Sequence, residues 1–423
     1  MATLLTGIGE LTTNDDEVGR MRDAALVTDG AEIVWVGEAS AAPAADERVD
    51  VGGRAVLPGW VDSHTHLVFA GDRTAEFEAR MAGQAYAAGG IGVTVGATRA
   101  ASDAALTANL DRLADEMLRG GTTAFETKTG YGLTVDDELR SARIAAGRAD
   151  AVTFLGAHLV PPGWSDAGGD ADSYVDLVAG EMLAAVAPHV DAIDVFCERG
   201  AFDEAQSRRV LEAGRAAGLA LRVHGNQLGP GPGVRLAVEL GAASVDHVAF
   251  VDDDEVGMLG ASWQGGARGT VATVLPACDL STRMPLAPAR RLVDAEAVVA
   301  IATNCNPGTS YTTSMAFCVA TAVLQMGLTV EEAVRAATLG GAIALGRDEA
   351  ALATDEAASG TGGAAAARGI ADETHAARLP LGRIRPGARA DLQVLDAPSI
   401  THLAYRPGVQ LTSAVWRAGE RVV

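Results

Sequence analysis

Two histidines one residue apart close an apolar run, Val56-Leu57-Pro58-Gly59-Trp60-Val61-Asp62-Ser63-His64-Thr65-His66. On an extended strand, residues i and i+2 face the same side. His64 and His66 therefore converge on one point, as two ligands of a single metal ion must. A pair of barrel-lining or solvated histidines is the bland alternative, and for an isolated HxH it would carry more weight. It loses that weight because later strand-like runs also end in histidine. Five of the eight histidines, His64, His66, His158, His224 and His247, stand at such ends.

Other polar residues end the same runs. The second run gives Glu126 and Lys128 and leads into Gly130-Tyr131-Gly132. The fourth gives Cys197 and Glu198, the fifth adds Asn226 and Gln227 to His224, and the sixth gives Asp246 before His247. The eighth ends in Asn304 and Asn306. Glu126 and Lys128 also read as a simple buried ion pair. The stretch Asn306-Pro307-Gly308-Thr309-Ser310 precedes a helical segment, so its backbone N–H groups are expected to receive a substrate anion.

The elements that position these residues follow from the pattern. Eight β-rich runs occur in order: Val56–Val61, Thr122–Thr127, Val152–Ala157, Ala192–Phe196, Ala220–Val223, Ser244–Asp246, Gly269–Leu275 and Val298–Thr303. Helical patterns fill most gaps. One runs from Ser102 to Arg119 with Leu106, Leu110, Leu113 and Met117 on one face. Others start at Asp203 and Thr329, each with Gln or Glu three residues on, the spacing of a capping box. Strands alternating with helices predict an α/β fold, a (β/α)8 TIM-like barrel over 56–346 whose chemistry sits at the C-terminal strand ends. Both chain ends read as short strands, and segments 1–55 and 381–423 are expected to pair into a small composite β-sandwich. Residues 347–378 are rich in Ala, Gly, Ser, Thr and acidic residues and read as a low-complexity surface insertion.

Composition narrows the function classes. The 423 residues carry a formal net charge of −22. With no basic cluster, no nucleic-acid partner is expected. Lys128 is the only lysine. No secretion signal or membrane span is read, and four cysteines without CxxC spacing (Cys197, Cys278, Cys305, Cys318) read as buried thiols in a reducing cytoplasm.

Taken together, these residues resemble the amidohydrolase superfamily and, within it, the imidazolonepropionase family. The matching stretches are His64-Thr65-His66-Leu67-Val68-Phe69-Ala70-Gly71-Asp72-Arg73, Glu126-Thr127-Lys128-Thr129-Gly130-Tyr131-Gly132-Leu133, Phe154-Leu155-Gly156-Ala157-His158, Asp194-Val195-Phe196-Cys197-Glu198 and Asn304-Cys305-Asn306-Pro307-Gly308-Thr309. The likeness covers nearly the whole chain outside 347–378. It implies hydrolysis of the cyclic amide of 4-imidazolone-5-propanoate to N-formimidoyl-L-glutamate with one Zn or Fe ion per chain. It implies metal ligands at His64, His66, His224 and residue 304. It implies substrate contacts at Arg73, Tyr131, His158 and Gln227, and product contacts at Asn306, Gly308 and Thr309. His247, with Gln227 beside it, belongs to the reacting group, because His247 lies one strand from His224 and can handle a proton. The expected partner is a small-molecule substrate, and a homodimer is an admissible assembly.

Two positions depart from the family pattern. Asn304 stands where aspartate is usual, and an amide can lend a carbonyl oxygen but cannot be a general base. Gln227 replaces a carboxylate seen in some relatives. Two alternatives therefore stay open at this point. One is another cyclic-amide hydrolase or aminohydrolase of the superfamily; the other is a weakly active or non-catalytic binding homologue.

Overall fold

The computed structural model describes residues 1–83, 90–161, 163–266, 268–359 and 375–423. The chain divides into two compact units. One comprises Met1–Asp62, Asp115–Ala124 and Ser314–Val423; the other comprises Ser63–Ala114 and Phe125–Thr313.

The strands in chain order are β1 (Ala2–Thr12), β2 (Arg20–Asp29), β3 (Glu32–Glu38), β4 (Glu47–Asp50), β5 (Ala55–Pro58), β6 (Trp60–Asp62), β7 (Thr122–Lys128), β8 (Ala151–Ala157), β9 (Ala192–Cys197), β10 (Ala220–Gly225), β11 (Ser244–His247), β12 (Val271–Val274), β13 (Val299–Ile301), β14 (Leu392–Leu395), β15 (Thr412–Arg417) and β16 (Glu420–Arg421). The chain ends build one mixed sheet in the order β16-β15-β14-β5-β1-β2-β3, with β4 branching from β1. It is held by a core in which Leu5, Ile8 and Leu26 from the N-terminal strands meet Leu392, Val394 and Trp416 from the C-terminal ones. The second sheet runs β6 to β13 in sequence order, its neighbours parallel wherever the register is resolved, as in a nearly closed TIM-like barrel.

The expected first barrel strand, Val56–Val61, is in fact two strands. β5 pairs with β1 and β14 in the terminal sheet, and only β6 enters the barrel order. The break falls at Pro58-Gly59. A side chain on Gly59 would put its Cβ 2.2 Å from Thr123 Oγ1, so only glycine lets the chain pass here. Apolar run length alone cannot reveal such a transfer between sheets.

The helix starts follow local chemistry. Asp203 accepts from Gln206 N while Gln206 accepts from Asp203 N, opening the helix Glu204–Ala216. Thr329 and Glu332 do the same for Val330–Arg335. The amphipathic stretch forms Asp103–Arg119, with Ser102 Oγ accepting from Ala105 N. Of the expected insertion 347–378, residues 360–374 lie outside the described residues. Glu349–Ser359 forms a helix, which its alanine-rich composition favours. No helix among the described residues is long and apolar enough to cross a membrane.

Candidate active site

The site is built on the segment that leaves β6. Its backbone is tied on both sides: His66 N donates to Cys305 O (2.9 Å) and Asn304 N to His64 O (3.0 Å), while Lys128 N donates to Thr65 O (2.9 Å). Glu126 Oε2 accepts from Thr65 N at 3.1 Å. This pins the first and eighth strand ends beside each other and turns both histidines to one side. Backbone strain gathers at these ends as well. Leu133, Asn226, His247, Val248 and Asn304 have positive φ, five of the ten such non-glycine residues among those described.

His64, His66 and His224 place ring nitrogens within 4.8 Å of one another. His64 Nε2 and His66 Nε2 are 3.3 Å apart. The opposite nitrogens of His64 and His224 each face a carboxylate. His64 Nδ1 lies 2.7 Å from Asp246 Oδ2, and His224 Nδ1 lies 3.0 Å from Asp194 Oδ2. A carboxylate on Nδ1 fixes the tautomer that leaves Nε2 free to ligate. Burial first, then the nearby Lys128 charge, holds His64 well below the usual histidine pKa; burial and the His64 ring do the same for His66. Both rings are therefore neutral, as ligands must be. Asn304 Oδ1 and His66 Nδ1 are buried without a hydrogen-bond partner. Clustered imidazole nitrogens, with an orphaned amide oxygen on a residue that lines the same cavity as His66 and His224, are a donor set that fits one divalent cation.

Beneath this cluster lies Lys128, fully buried, as are Glu126 and Asp194. Its Nζ is 2.9 Å from Glu126, 3.0 Å from Asp194 and 3.8 Å from Asp246. Burial alone would lower the lysine pKa, but the three carboxylates outweigh it and raise it. One cation thus neutralises the same aspartates that orient His64 and His224. The Glu126–Lys128 pair read from the sequence is present, within a larger network.

One cavity is lined by ten of the twelve residues expected to bind metal, substrate or product or to react; His64 and Gly308 are the two outside its wall. It adds Ile91 and Phe196. Arg73 makes a two-pronged contact with Glu76, Nε to Oε2 at 2.8 Å and Nη2 to Oε1 at 2.6 Å. Gly308 lies directly under this guanidinium: a Cβ there would come 2.0 Å from Arg73 Nη1. His158 Nδ1 meets Gly130 O at 2.9 Å, and burial pushes this histidine down to about 4. Gln227 N donates to Glu198, and its Nε2 lies 3.8 Å from Cys278 Sγ. His247 is buried, and its pKa is held well below the ordinary value by burial and then by His224.

The expected anion cradle at 306–310 is not available. Asn306 Oδ1 already accepts from Gly308 N and Thr309 N, both at 2.8 Å, and the following helix starts only at Met315. Asn306 also donates to Asn304 O at 2.7 Å and Thr309 Oγ1 at 2.8 Å. It builds the loop that carries Asn304 and seats Arg73, an Asx turn that spacing alone did not distinguish from an open cradle.

Sequence reasoning missed several supports. Glu138 accepts from Gly130 N (2.9 Å), Gly132 N (2.8 Å) and Leu133 N (2.7 Å), so one buried carboxylate holds the loop that presents Tyr131 and orients His158. Its place in the first turn of the helix Val135–Ala146 was the available signal. Glu138→Gln sets an NH2 group against backbone donors. We expect a loss of about 1–3 kcal/mol in stability and a KM raised by roughly tenfold or more with a smaller change in kcat, checked by thermal unfolding and steady-state kinetics. Unchanged KM would mean that the loop holds its shape without this staple. Cys278 and Asp279, on the helix Pro276–Thr282 after β12, were also missed. Burial pushes the Cys278 thiol up to about 12 and the Asp279 carboxyl to about 7.

No protein-family model matches the chain. Among curated proteins, the imidazolonepropionase of Saccharopolyspora erythraea is 63% identical over 421 residues, covering 100% of this chain and 99% of the relative. That of Arthrobacter sp. strain FB24 is 62% identical over 426 residues, covering 100% of both. That of Streptomyces griseus subsp. griseus is 55% identical, covering 100% and 99%. Among solved structures, a triazine hydrolase variant aligns with a TM-score of 0.70 at 20% identity, covering 100% of this chain and 94% of that one. An adenosine deaminase from Xanthomonas campestris with bound zinc aligns at 0.66 and 20% identity, covering 99% and 92%. These structural likenesses concern the fold.

Proposed function

The chain belongs to the imidazolonepropionase family of the amidohydrolase superfamily, and we propose on that basis that it hydrolyses 4-imidazolone-5-propanoate to N-formimidoyl-L-glutamate in histidine degradation. It is a hydrolase of cyclic-amide C–N bonds: water adds across the ring amide, the bond to nitrogen breaks, and that nitrogen gains a proton. The observation that carries the substrate assignment is that His66, His224 and the buried Arg73 guanidinium line one cavity.

In this reading His64, His66, His224 and Asn304 hold one Zn or Fe ion per chain. Such an ion polarises the ring carbonyl and brings the pKa of a water towards ~7. Arg73 receives the propionate, with the Tyr131 hydroxyl beside it. His158 and Gln227 hydrogen-bond the ring. His247, neutral and without a carboxylate at position 304 to share the task, takes the proton from water and returns it to the ring nitrogen. Asn306 and Gly308 act through the seat they give Arg73, and Thr309 completes the wall. Four buried cysteines, none of them in a disulfide, support a cytoplasmic location. A homodimer that binds no nucleic acid remains part of the proposal.

Arg73 decides between this substrate and a neutral ring. The guanidinium is oriented by Glu76, whose side chain is 32% exposed and can turn to water when the tail arrives. Loss of a buried charge pair costs about 2–5 kcal/mol, and competition from Glu76 places this one at the low end. Arg73→Met is therefore expected to raise KM roughly 30-fold, the equivalent of ~2 kcal/mol. Arg73→Lys should also lose affinity, because the fork geometry goes. Unchanged KM in both variants would exclude Arg73 as the carboxylate receptor.

A further inference from the structure

A second set of metal donors lies beside the first and shares no residue with it. His247, Cys278 and Asp279 place a ring nitrogen, a sulfur and a carboxylate oxygen within 4.8 Å of one another, and all three residues are buried. The topology explains the meeting. β11 and β12 are parallel neighbours, so the helix that follows β12 starts at the same end of the sheet as His247, the last residue of β11. His247 holds a positive φ of 81°, and its Nδ1 is buried without a hydrogen-bond partner. Asp279 is anchored from the other side, its Oδ2 accepting from Ala287 N at 3.1 Å. We propose that His247, Cys278 and Asp279 form a second, thiolate-bearing divalent-cation site that fills under excess thiophilic metal and inhibits the enzyme by taking the lone pair of His247.

The donor chemistry selects the ion. Nitrogen, sulfur and oxygen together suit Zn(II) or Co(II) and not Mg(II) or Ca(II). Zinc bonds of about 2.0–2.3 Å put tetrahedral ligand atoms roughly 3.3–3.8 Å apart, so closure asks for side-chain shifts of about an ångström. Binding expels the thiol proton to solvent, a cost that imidazole nitrogen ligands do not carry. The three-histidine site therefore fills first, and the second site fills only in excess. The inhibitory half rests on the role given to His247 above; the binding half does not.

The test is a titration of Co(II) into the full-length enzyme already loaded with one equivalent. None of the three histidines or Asn304 offers sulfur, so the first site gives no thiolate band. The second equivalent should bring a sulfur-to-cobalt charge-transfer absorption in the near ultraviolet, displaceable by Zn(II), with the rate falling in parallel. Cys278→Ser should lose the band and raise the inhibitory metal concentration at least tenfold, measured against its own one-equivalent rate. Asp279→Asn should raise it without abolishing the band. Saturation of the wild-type protein without a thiolate band overturns the site, as does a band that survives in Cys278→Ser. A band that forms without loss of rate leaves the site standing and overturns the inhibition, and with it the role of His247.

Discussion

Lys128→Met is expected to lower the stability of the metal-free protein by about 3–5 kcal/mol at neutral pH, the cost of leaving buried charge uncompensated. The reason is local. The ammonium lies within 4 Å of Glu126, Asp194 and Asp246, and every member is buried. Methionine keeps most of the volume and removes the only lysine. The sign of the pH response follows. In the parent, against the effect of burial, His224 and then Lys128 hold the Asp194 carboxyl below the usual carboxylate range, so the stability this contributes is present above the unfolded carboxylate pKa and lost as pH falls. The variant's deficit should therefore shrink as pH falls towards the carboxylate range. Denaturant midpoints of both proteins across pH measure this. A deficit below about 1 kcal/mol would mean that the carboxylates find another counter-charge. The variant should also hold metal poorly, because Asp246 and Asp194 orient His64 and His224.

His247→Ala is expected to lower kcat by about 10²–10⁴-fold, the usual contribution of a positioned acid-base group, with metal retained at His64, His66 and His224. The expectation is sharp in this chain because residue 304 offers an amide. Its Oδ1 is an unpartnered acceptor, suited to a cation and unable to carry a proton away. A carboxylate restored at that position should open a second proton path. Asn304→Asp in the His247→Ala background is accordingly expected to recover part of the lost kcat, with KM moving less. Equal kcat for His247→Ala and the parent at matched metal loading would remove His247 from the chemistry.

Much of this site was legible because barrel strands expose their C-terminal residues in strand order, so the histidines at the ends of apolar runs could be read as converging on one site. The capping boxes at Asp203 and Thr329 were legible for a simpler reason: both partners lie within four residues. What escaped depends on partners distant in sequence. Whether Val56–Val61 is one strand or two is decided by Thr123 against Gly59. The amides of Gly308 and Thr309 looked available until Asn306 was seen to occupy them. Cys278 and Asp279 belong to no motif, and only the parallel pairing of β11 with β12 brings them to His247. Position 304 was identified, but its consequence depended on whether a carboxylate elsewhere could substitute, and spacing does not contain that.

The most direct measurement is turnover of 4-imidazolone-5-propanoate by purified, full-length protein, first stripped of metal and then reloaded with one equivalent of Zn(II) or Fe(II), with the product identified chemically. Stripped protein should be inactive. Reloaded protein should convert the imidazolone to N-formimidoyl-L-glutamate, and His64→Ala should neither bind the equivalent nor regain activity. Stoichiometrically loaded, folded protein that leaves the imidazolone intact would contradict the account.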